Sequence, residues 1–395
     1  MRTQVAIIGA GPAGLMLAHL LHRSGVESVV LEARSREYVE SRVRAGVLEQ
    51  GTVDLLNETG LGDRMNAEGL LHHGIELGFG GRRHRIDMKA LTGNAVTVYA
   101  QHEVVKDLIA ARLKARGEIV FEAAKVSIHG FDGDAPVVQF EKDGVSHEMR
   151  CDYIAGCDGF HGICRPTAPA GALTTYERIY PFAWLGILAE AAPSQGELVY
   201  IRHERGFALF SMRSPTVTRL YLQCDPADDI QRWTDDRIWD EMLTRLRCDD
   251  GWQPNVGRIV QKSITPMRSF VTEPMQYGRL FLAGDAVHIV PPTGAKGMNL
   301  AIADVRVLAT ALAERFATGS TALLERYSEI CLRRIWKVQR FSWWMTSMLH
   351  KFPDANPFDE RRQMAELDYV TSSRAAALSL AENYVGLPMD SLNAG

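Results

Sequence analysis

Short glycine turns and acids at the ends of apolar runs recur in this sequence, and their spacing suits a phosphorylated, ribose-bearing ligand. Gly9-Ala10-Gly11-Pro12-Ala13-Gly14 directly follows Val5-Ala6-Ile7-Ile8. Gly9 and Gly11 permit a tight turn and the close approach of a pyrophosphate, while Gly14 permits a helix to pack closely on a sheet. A second apolar run, Ser28-Val29-Val30-Leu31, ends in Glu32, where an acid that accepts from ribose hydroxyls is expected. Asp158-Gly159 follows Tyr153-Ile154-Ala155-Gly156, and Gly284-Asp285 follows Leu280-Phe281-Leu282-Ala283. The latter continues through Pro291-Pro292-Thr293-Gly294-Ala295-Lys296-Gly297 into a periodic segment, Leu300 to Phe316. An acid at a strand end accepts from hydroxyls, and free N–H groups at a helix start favour anionic atoms. Arg42 and Arg44, ahead of a helix, are placed to neutralise a pyrophosphate bidentately.

These residues require strand–turn–helix units to carry them, so the sequence predicts an α/β fold with an α+β substrate lobe. Residues 1–180 are expected to form a dinucleotide-binding domain, with a hairpin over 73–97 reaching into the second lobe. Gln101 opens a helix through Val104, Leu108 and Ile109, and Val120 to Phe140 reads as antiparallel strands. Residues 181–266 alternate as a mostly antiparallel sheet, in which Ser211 and Arg213 share one face and Tyr221 lies on the next strand. Residues 267–395 return to the first domain and end in a helical region, where Trp336, Phe341, Trp343, Trp344 and Met345 suggest core or subunit interface.

The net charge of -4 gives no reason to expect a nucleic acid. Six cysteines without a Cys-x-x-Cys pair argue against zinc and a redox disulfide, and favour reduced thiols in a cytoplasmic protein. No metal site is expected. Neither is a membrane span, since no apolar run is long enough, and the first strand begins too near Met1 to leave room for a cleaved signal.

The glycine turn with Glu32, the Asp158-Gly159 turn and the Gly284-Asp285 segment together resemble the single-component flavoprotein aromatic hydroxylases. Further likeness lies in Arg44–Gln50, Ala155–Gly162, Pro291–Gly297, Phe341–Thr346 and Glu382–Pro388, especially to members acting on 4-hydroxybenzoate. The resemblance spans essentially the whole chain. It implies a Rossmann-like FAD-binding domain of the glutathione-reductase type. It also implies hydroxylation of 4-hydroxybenzoate at C3 to 3,4-dihydroxybenzoate by NAD(P)H and O2, through a flavin C4a-hydroperoxide. Gly9, Gly11, Gly14, Glu32, Arg42, Arg44, Gln101, Asp158, Asp285, Asn299 and Arg219 would serve FAD, with Asn299 near the isoalloxazine and Arg219 holding positive charge there.

By the same resemblance Arg213, Ser211 and Tyr221 clamp the substrate carboxylate, while Pro292 and Thr293 border the phenol. Tyr200 exchanges the phenol proton through Tyr384 towards His72, an imidazole near its ordinary pKa. Arg34, Tyr38, His161 and Arg268 would meet a transiently bound nicotinamide nucleotide, NADPH being favoured over NADH. Ala33-Arg34 alters the register seen in NADPH-using relatives, and Met212 and Leu220 change the surroundings of the clamp. A runner-up reading is a broadened range, such as 3,4-dihydroxybenzoate to gallate. A flavin dehydrogenase would need a second nucleotide fold or a cysteine pair, and neither is visible. A homodimer is expected.

Overall fold

A computed structural model describes residues 1–42 and 46–388. Its first sheet has six strands, in the order Gln276–Tyr277, Leu280–Leu282, Tyr153–Gly156, Val5–Ile8, Ser28–Glu32, Glu118–Phe121. All neighbours are parallel except the Gln276–Tyr277 edge. Val5–Ile8 is buried throughout, as a central strand covered on both faces must be, which explains why its sequence is a continuous apolar run. The parallel arrangement brings the Gly9 turn, Glu32, Asp158 and the Gly284 turn to one edge of the sheet. The edge is stitched by Gly9 N–H to Leu31 O (2.7 Å), Cys157 N–H to Ile8 O (2.8 Å) and Ala283 N–H to Gly156 O (3.0 Å).

Glu118–Phe121 belongs to this parallel sheet, pairing with Val29–Glu32. The expectation of antiparallel strands from Val120 onward is thereby corrected: antiparallel pairing begins only at Ala124–His129, within a separate three-stranded sheet with Val137–Lys142 and Val145–Arg150. Both kinds of strand are short and partly buried, so their patterns alone do not distinguish them.

The second large sheet has eight strands, ordered His288–Ile289, Arg258–Glu273, Thr174–Glu190, Val217–Cys224, Ala208–Ser214, Leu198–Ile201, Gly74–Phe79, Arg82–Asp87. All pairs are antiparallel except Leu198–Ile201 with Gly74–Phe79. Thr174–Glu190 and Arg258–Glu273 are continuous strands that run across residues 180 and 266, so the polypeptide passes between lobes without a linker. Period-two alternation divides the sheet into two faces. Leu198, Tyr200, Phe207, Leu209 and Trp184 pack on one, beneath Phe341, Met345, Leu380 and Tyr384 of the C-terminal helices. Val199, Ile201, Phe210, Leu220 and Leu222 pack on the other, against Ile238 and Met242 of the helix Asp235–Arg245. Among the described residues no helix is long and apolar enough to cross a membrane.

The glycines of the first turn have different physical reasons. A Cβ at Gly14 would lie 2.0 Å from Gly9 O and 3.1 Å from the Ile7 side chain, whereas a Cβ at Gly11 would meet nothing within 4 Å. Gly14→Ala should therefore lower apoprotein stability by about 1–3 kcal/mol, as overpacking does, and Gly11→Ala should leave it within about 0.5 kcal/mol. Thermal unfolding of both apoproteins checks this; equal losses would contradict the close packing at Gly14.

Candidate active site

One pocket opens on the aromatic face of the eight-stranded sheet. Trp184, Tyr200, Ser211, Arg213, Tyr221 and Pro292 line it, together with Gly46 and Ala295. Alternation explains the grouping: 209, 211 and 213 follow one another on one side of their strand, with 219 and 221 on the same side of the next. Pro292 enters from the turn Pro292–Gly294, ahead of the helix Gly297–Thr318. The sequence-predicted substrate residues thus converge on one space, except that Thr293 is wholly buried behind it, its hydroxyl 2.9 Å from that of Thr346.

The pocket's charge is unbalanced. Arg219 is buried and Arg213 half-buried, Arg213 Nε and Arg219 Nε and Nη1 have no hydrogen-bond partner, and no carboxylate pairs with either among the described residues. Burial, above all, pulls the Arg213 guanidinium below its ordinary pKa, and Arg219 nearby adds to this while Tyr221 opposes it. The Arg219 guanidinium lies over the Tyr221 ring, 5.2 Å from its centre. A buried cation with open donors favours an anion that brings acceptors with it.

At the phenolic end, the Tyr200 and Tyr384 hydroxyls are 2.6 Å apart and both rings are buried. Burial pushes both phenols above their ordinary range, so both stay protonated and either can donate. Among the described residues this chain of hydrogen bonds stops at Tyr384. His72 is buried with both ring nitrogens unpartnered. Burial, partly opposed by Glu197, pulls it to about 4. The expectation of an imidazole near its ordinary pKa is therefore corrected: His72 is a neutral, enclosed ring. Pro292 O accepts from Ala295 N–H at 2.9 Å.

Sequence reasoning missed a buried network beneath this end. Lys296, 1% exposed, reaches Glu49 Oε1 at 2.7 Å and donates to Tyr384 O at 2.8 Å, and Arg334 holds Glu49 Oε2 at 2.8 Å. Lys296 and Glu49 lie within the segments already singled out, but 247 residues separate them, and no local spacing announces the pair. His350 was missed as well. Trp184 Nε1 donates to its Nε2 at 2.6 Å, and its Nδ1 lies 3.0 Å from Thr346 O. Burial holds His350 at about 3, hence neutral, so it fixes Trp184 as a pocket wall.

Along the edge of the parallel sheet, Glu32 accepts from Ala10 N–H and Arg34 N–H, both at 2.8 Å. Arg34 lies over the exposed Tyr38 ring at 5.4 Å. Gly11 begins the helix Pro12–Arg23 and has open space where a side chain would be, as a cradle for a closely approaching pyrophosphate requires. Arg42 is exposed, and Gln101 opens its helix just after Tyr99, whose N–H donates to Gly46 O at 2.9 Å. Arg44 lies outside the described residues. Asp158 is turned into its own loop, accepting from Cys164 N–H at 2.9 Å, and burial raises its pKa. Asp285 is exposed on the Gly284 turn. Asn299 accepts from Glu49 N–H and the Thr52 hydroxyl and donates to Val47 O and Ala295 O. All its hydrogen-bonding positions are thus taken within the protein, and it braces the loop at 47–49. His161 and Arg268 flank Phe160, at 4.9 and 4.6 Å from its ring centre, with Arg268 also 3.0 Å from Glu177.

The His72 environment has a consequence for stability. Its native pKa of about 4 lies below the unfolded value of 6.5, so the unfolded chain binds more protons between these values. Stability should fall as pH drops through that window, by on the order of 3 kcal/mol from this residue, and be unaffected above it. Urea unfolding of His72→Gln at pH 7 and pH 4.5 should show a smaller loss than the parent; equal losses would contradict a buried neutral imidazole.

Three comparisons bear on this geometry. The FAD binding domain family matches residues 2–342. The chain is 51% identical over 391 residues to p-hydroxybenzoate hydroxylase of Acinetobacter baylyi, covering 99% of this chain and 96% of that protein. It is 26% identical over 339 residues to a probable NADH-specific resorcinol 4-hydroxylase of Rhodococcus jostii, covering 82% of this chain and 61% of the other. The fold matches the crystal structure of p-nitrophenol 4-monooxygenase from Pseudomonas putida with a TM-score of 0.82, at 20% identity, over 98% of this chain and 99% of that one. Matched by that family over residues 2–342 and by a relative of 51% identity over nearly its whole length, the chain belongs to the FAD-dependent aromatic hydroxylases.

Proposed function

We propose that the protein hydroxylates 4-hydroxybenzoate at C3, giving 3,4-dihydroxybenzoate, with NADPH as reductant and O2 as the oxygen source. The observation that carries this reading is one enclosed pocket with the unpaired Arg213 guanidinium and the Tyr200 phenol on its walls. A benzoate with a para hydroxyl has an anion at one end and a proton donor at the other. Arg213, with Ser211 and Tyr221, takes the carboxylate. Tyr200 meets the phenol, donating to it or accepting from it as its bond with Tyr384 reverses. Withdrawing that proton makes the ring carbon beside the phenol oxygen electron-rich, and Arg219 favours the negative charge that results. Pro292 borders the phenol oxygen. His72 is proposed at the far end of this path, passing the proton on and not retaining it, since burial keeps its ring neutral.

FAD supplies the activation of oxygen when bound, and the protein's part is placement and charge. Gly9, Gly11 and Gly14 shape the turn for its pyrophosphate, Glu32 accepts from ribose, and Asp285 accepts from the ribityl chain. Arg42, Arg44, Gln101 and Asp158 complete the cofactor's surroundings. Arg34 and Tyr38 greet the ribose end of the nicotinamide nucleotide, while His161 and Arg268 receive its pyrophosphate. Trp336 and Trp343, each 42% exposed and seven residues apart on one helix, support self-association as a homodimer.

The 4-hydroxybenzoate-dependent oxidation of NADPH tests the reading. The acid should accelerate it strongly with an equal amount of 3,4-dihydroxybenzoate formed, and neutral 4-hydroxybenzamide should not. Arg213→Gln should weaken binding of the acid by at least about tenfold, as loss of one buried charge partner does. Tyr200→Phe should bind it nearly as the parent does but slow hydroxylation on the order of a hundredfold. Equal stimulation by the amide, or oxidation yielding only hydrogen peroxide, would contradict the assignment.

A further inference from the structure

The mechanism above makes no use of a buried acid–imidazole pair behind the Gly284 turn. Asp304, in the second turn of the helix Gly297–Thr318, is 2% exposed, and His288, on the short strand His288–Ile289, is 1% exposed. Asp304 Oδ2 lies 2.6 Å from His288 Nε2 and accepts from Gly284 N–H at 3.0 Å. One oxygen therefore joins three elements: the end of the parallel sheet, the edge strand of the other sheet, and the helix that starts at the pocket. His288 is fixed in turn by the pairing of its strand with Phe270 and Val271. The Asp304 carboxylate and the Asp285 charge together outweigh the burial of His288 and raise its pKa, which matches an imidazolium donating to Asp304.

The turn that this oxygen holds is confined from other directions. Gly284 has φ +64°, and a Cβ there would lie 3.2 Å from that of Ala301 and 3.4 Å from that of Ala13. Val287 N–H closes the turn onto Gly284 O at 2.9 Å. The backbone of Gly284 is thus wedged between the helix of the first glycine turn and the helix carrying Asp304. The next residue is Asp285, which faces outward at the sheet edge.

We infer that Asp304 and His288 are positioning residues for FAD, locking the Gly284 turn so that Asp285 meets the ribityl chain. The inference rests on the reading of Asp285 given above. It makes FAD affinity depend on a carboxylate that lies behind the turn. Asp304→Ala releases Gly284 N–H and leaves His288 without its partner, whereas Asp304→Asn keeps an oxygen able to accept from both. His288→Gln retains a donor at similar reach, and His288→Phe removes it.

The test is the dissociation constant of FAD from each purified holoenzyme, followed by flavin fluorescence, with apoprotein unfolding temperatures alongside and Asp285→Ala as reference. Asp304→Ala and His288→Phe should weaken FAD binding at least tenfold, with Asp304→Asn and His288→Gln restoring it to within threefold of the parent. Tight FAD binding in Asp304→Ala or His288→Phe, with only the unfolding temperature lowered, would overturn the inference and leave the pair a packing element. If Asp304→Ala does not fold, His288→Phe against His288→Gln decides the matter by the same criterion. If Asp285→Ala, which leaves no side-chain acceptor, binds FAD as the parent does, the reading of the turn fails and the inference falls with it.

Discussion

Two guanidinium groups that meet no carboxylate partner among the described residues set the terms for the rest of this structure. Arg213 and Arg219 stand on neighbouring strands with open donors, and uncompensated buried charge is costly. Lys296 is more deeply buried still, but Glu49 answers its charge at 2.7 Å. Glu49 is shared with Arg334, so this second cluster also leans positive. The neighbouring tyrosines remain protonated and add no negative charge. A positive, aromatic-walled space of this kind suits an anionic aromatic molecule, and such a field would favour loss of a phenolic proton from a molecule bound there.

The fold delivers this arrangement by two simple periodicities. Parallel strands in register bring every glycine turn and strand-end acid to one sheet edge, and strand alternation sends Tyr200, Ser211, Arg213 and Tyr221 to one face. The C-terminal helices cover that face with Phe341, Met345 and Tyr384, bringing one phenol against another. The Pro292–Gly297 turn joins the two systems, since it borders the pocket at one end and begins the long helix at the other. Lys296, within it, grips the Tyr384 carbonyl, so this turn and the Tyr200–Tyr384 pair share one support.

What the sequence made visible was local in origin. Gly9 to Gly14 with Glu32 announces a strand–turn–helix unit because glycine placement and an apolar run lie within a few residues of each other. Ser211 and Arg213 could be placed on one face because strand alternation needs only nearest neighbours. Residues whose roles arise from distant partners were silent. Nothing near Glu49 points to Lys296, and nothing near Trp184 points to His350. The enclosure of His72 depends on tertiary packing, which overrides the expectation drawn from its reference pKa. The parallel pairing of Glu118–Phe121 likewise depends on which strand lies beside it, and its own residues do not specify that.

The central claim is that this positive, enclosed pocket activates the phenol it binds. Its most direct test is an ultraviolet titration of the phenol group of 4-hydroxybenzoate bound to the oxidised holoenzyme. The account predicts a bound pKa clearly below that of the free acid in water. A bound pKa at or above the free value would contradict it, because burial would then outweigh the field of Arg213 and Arg219.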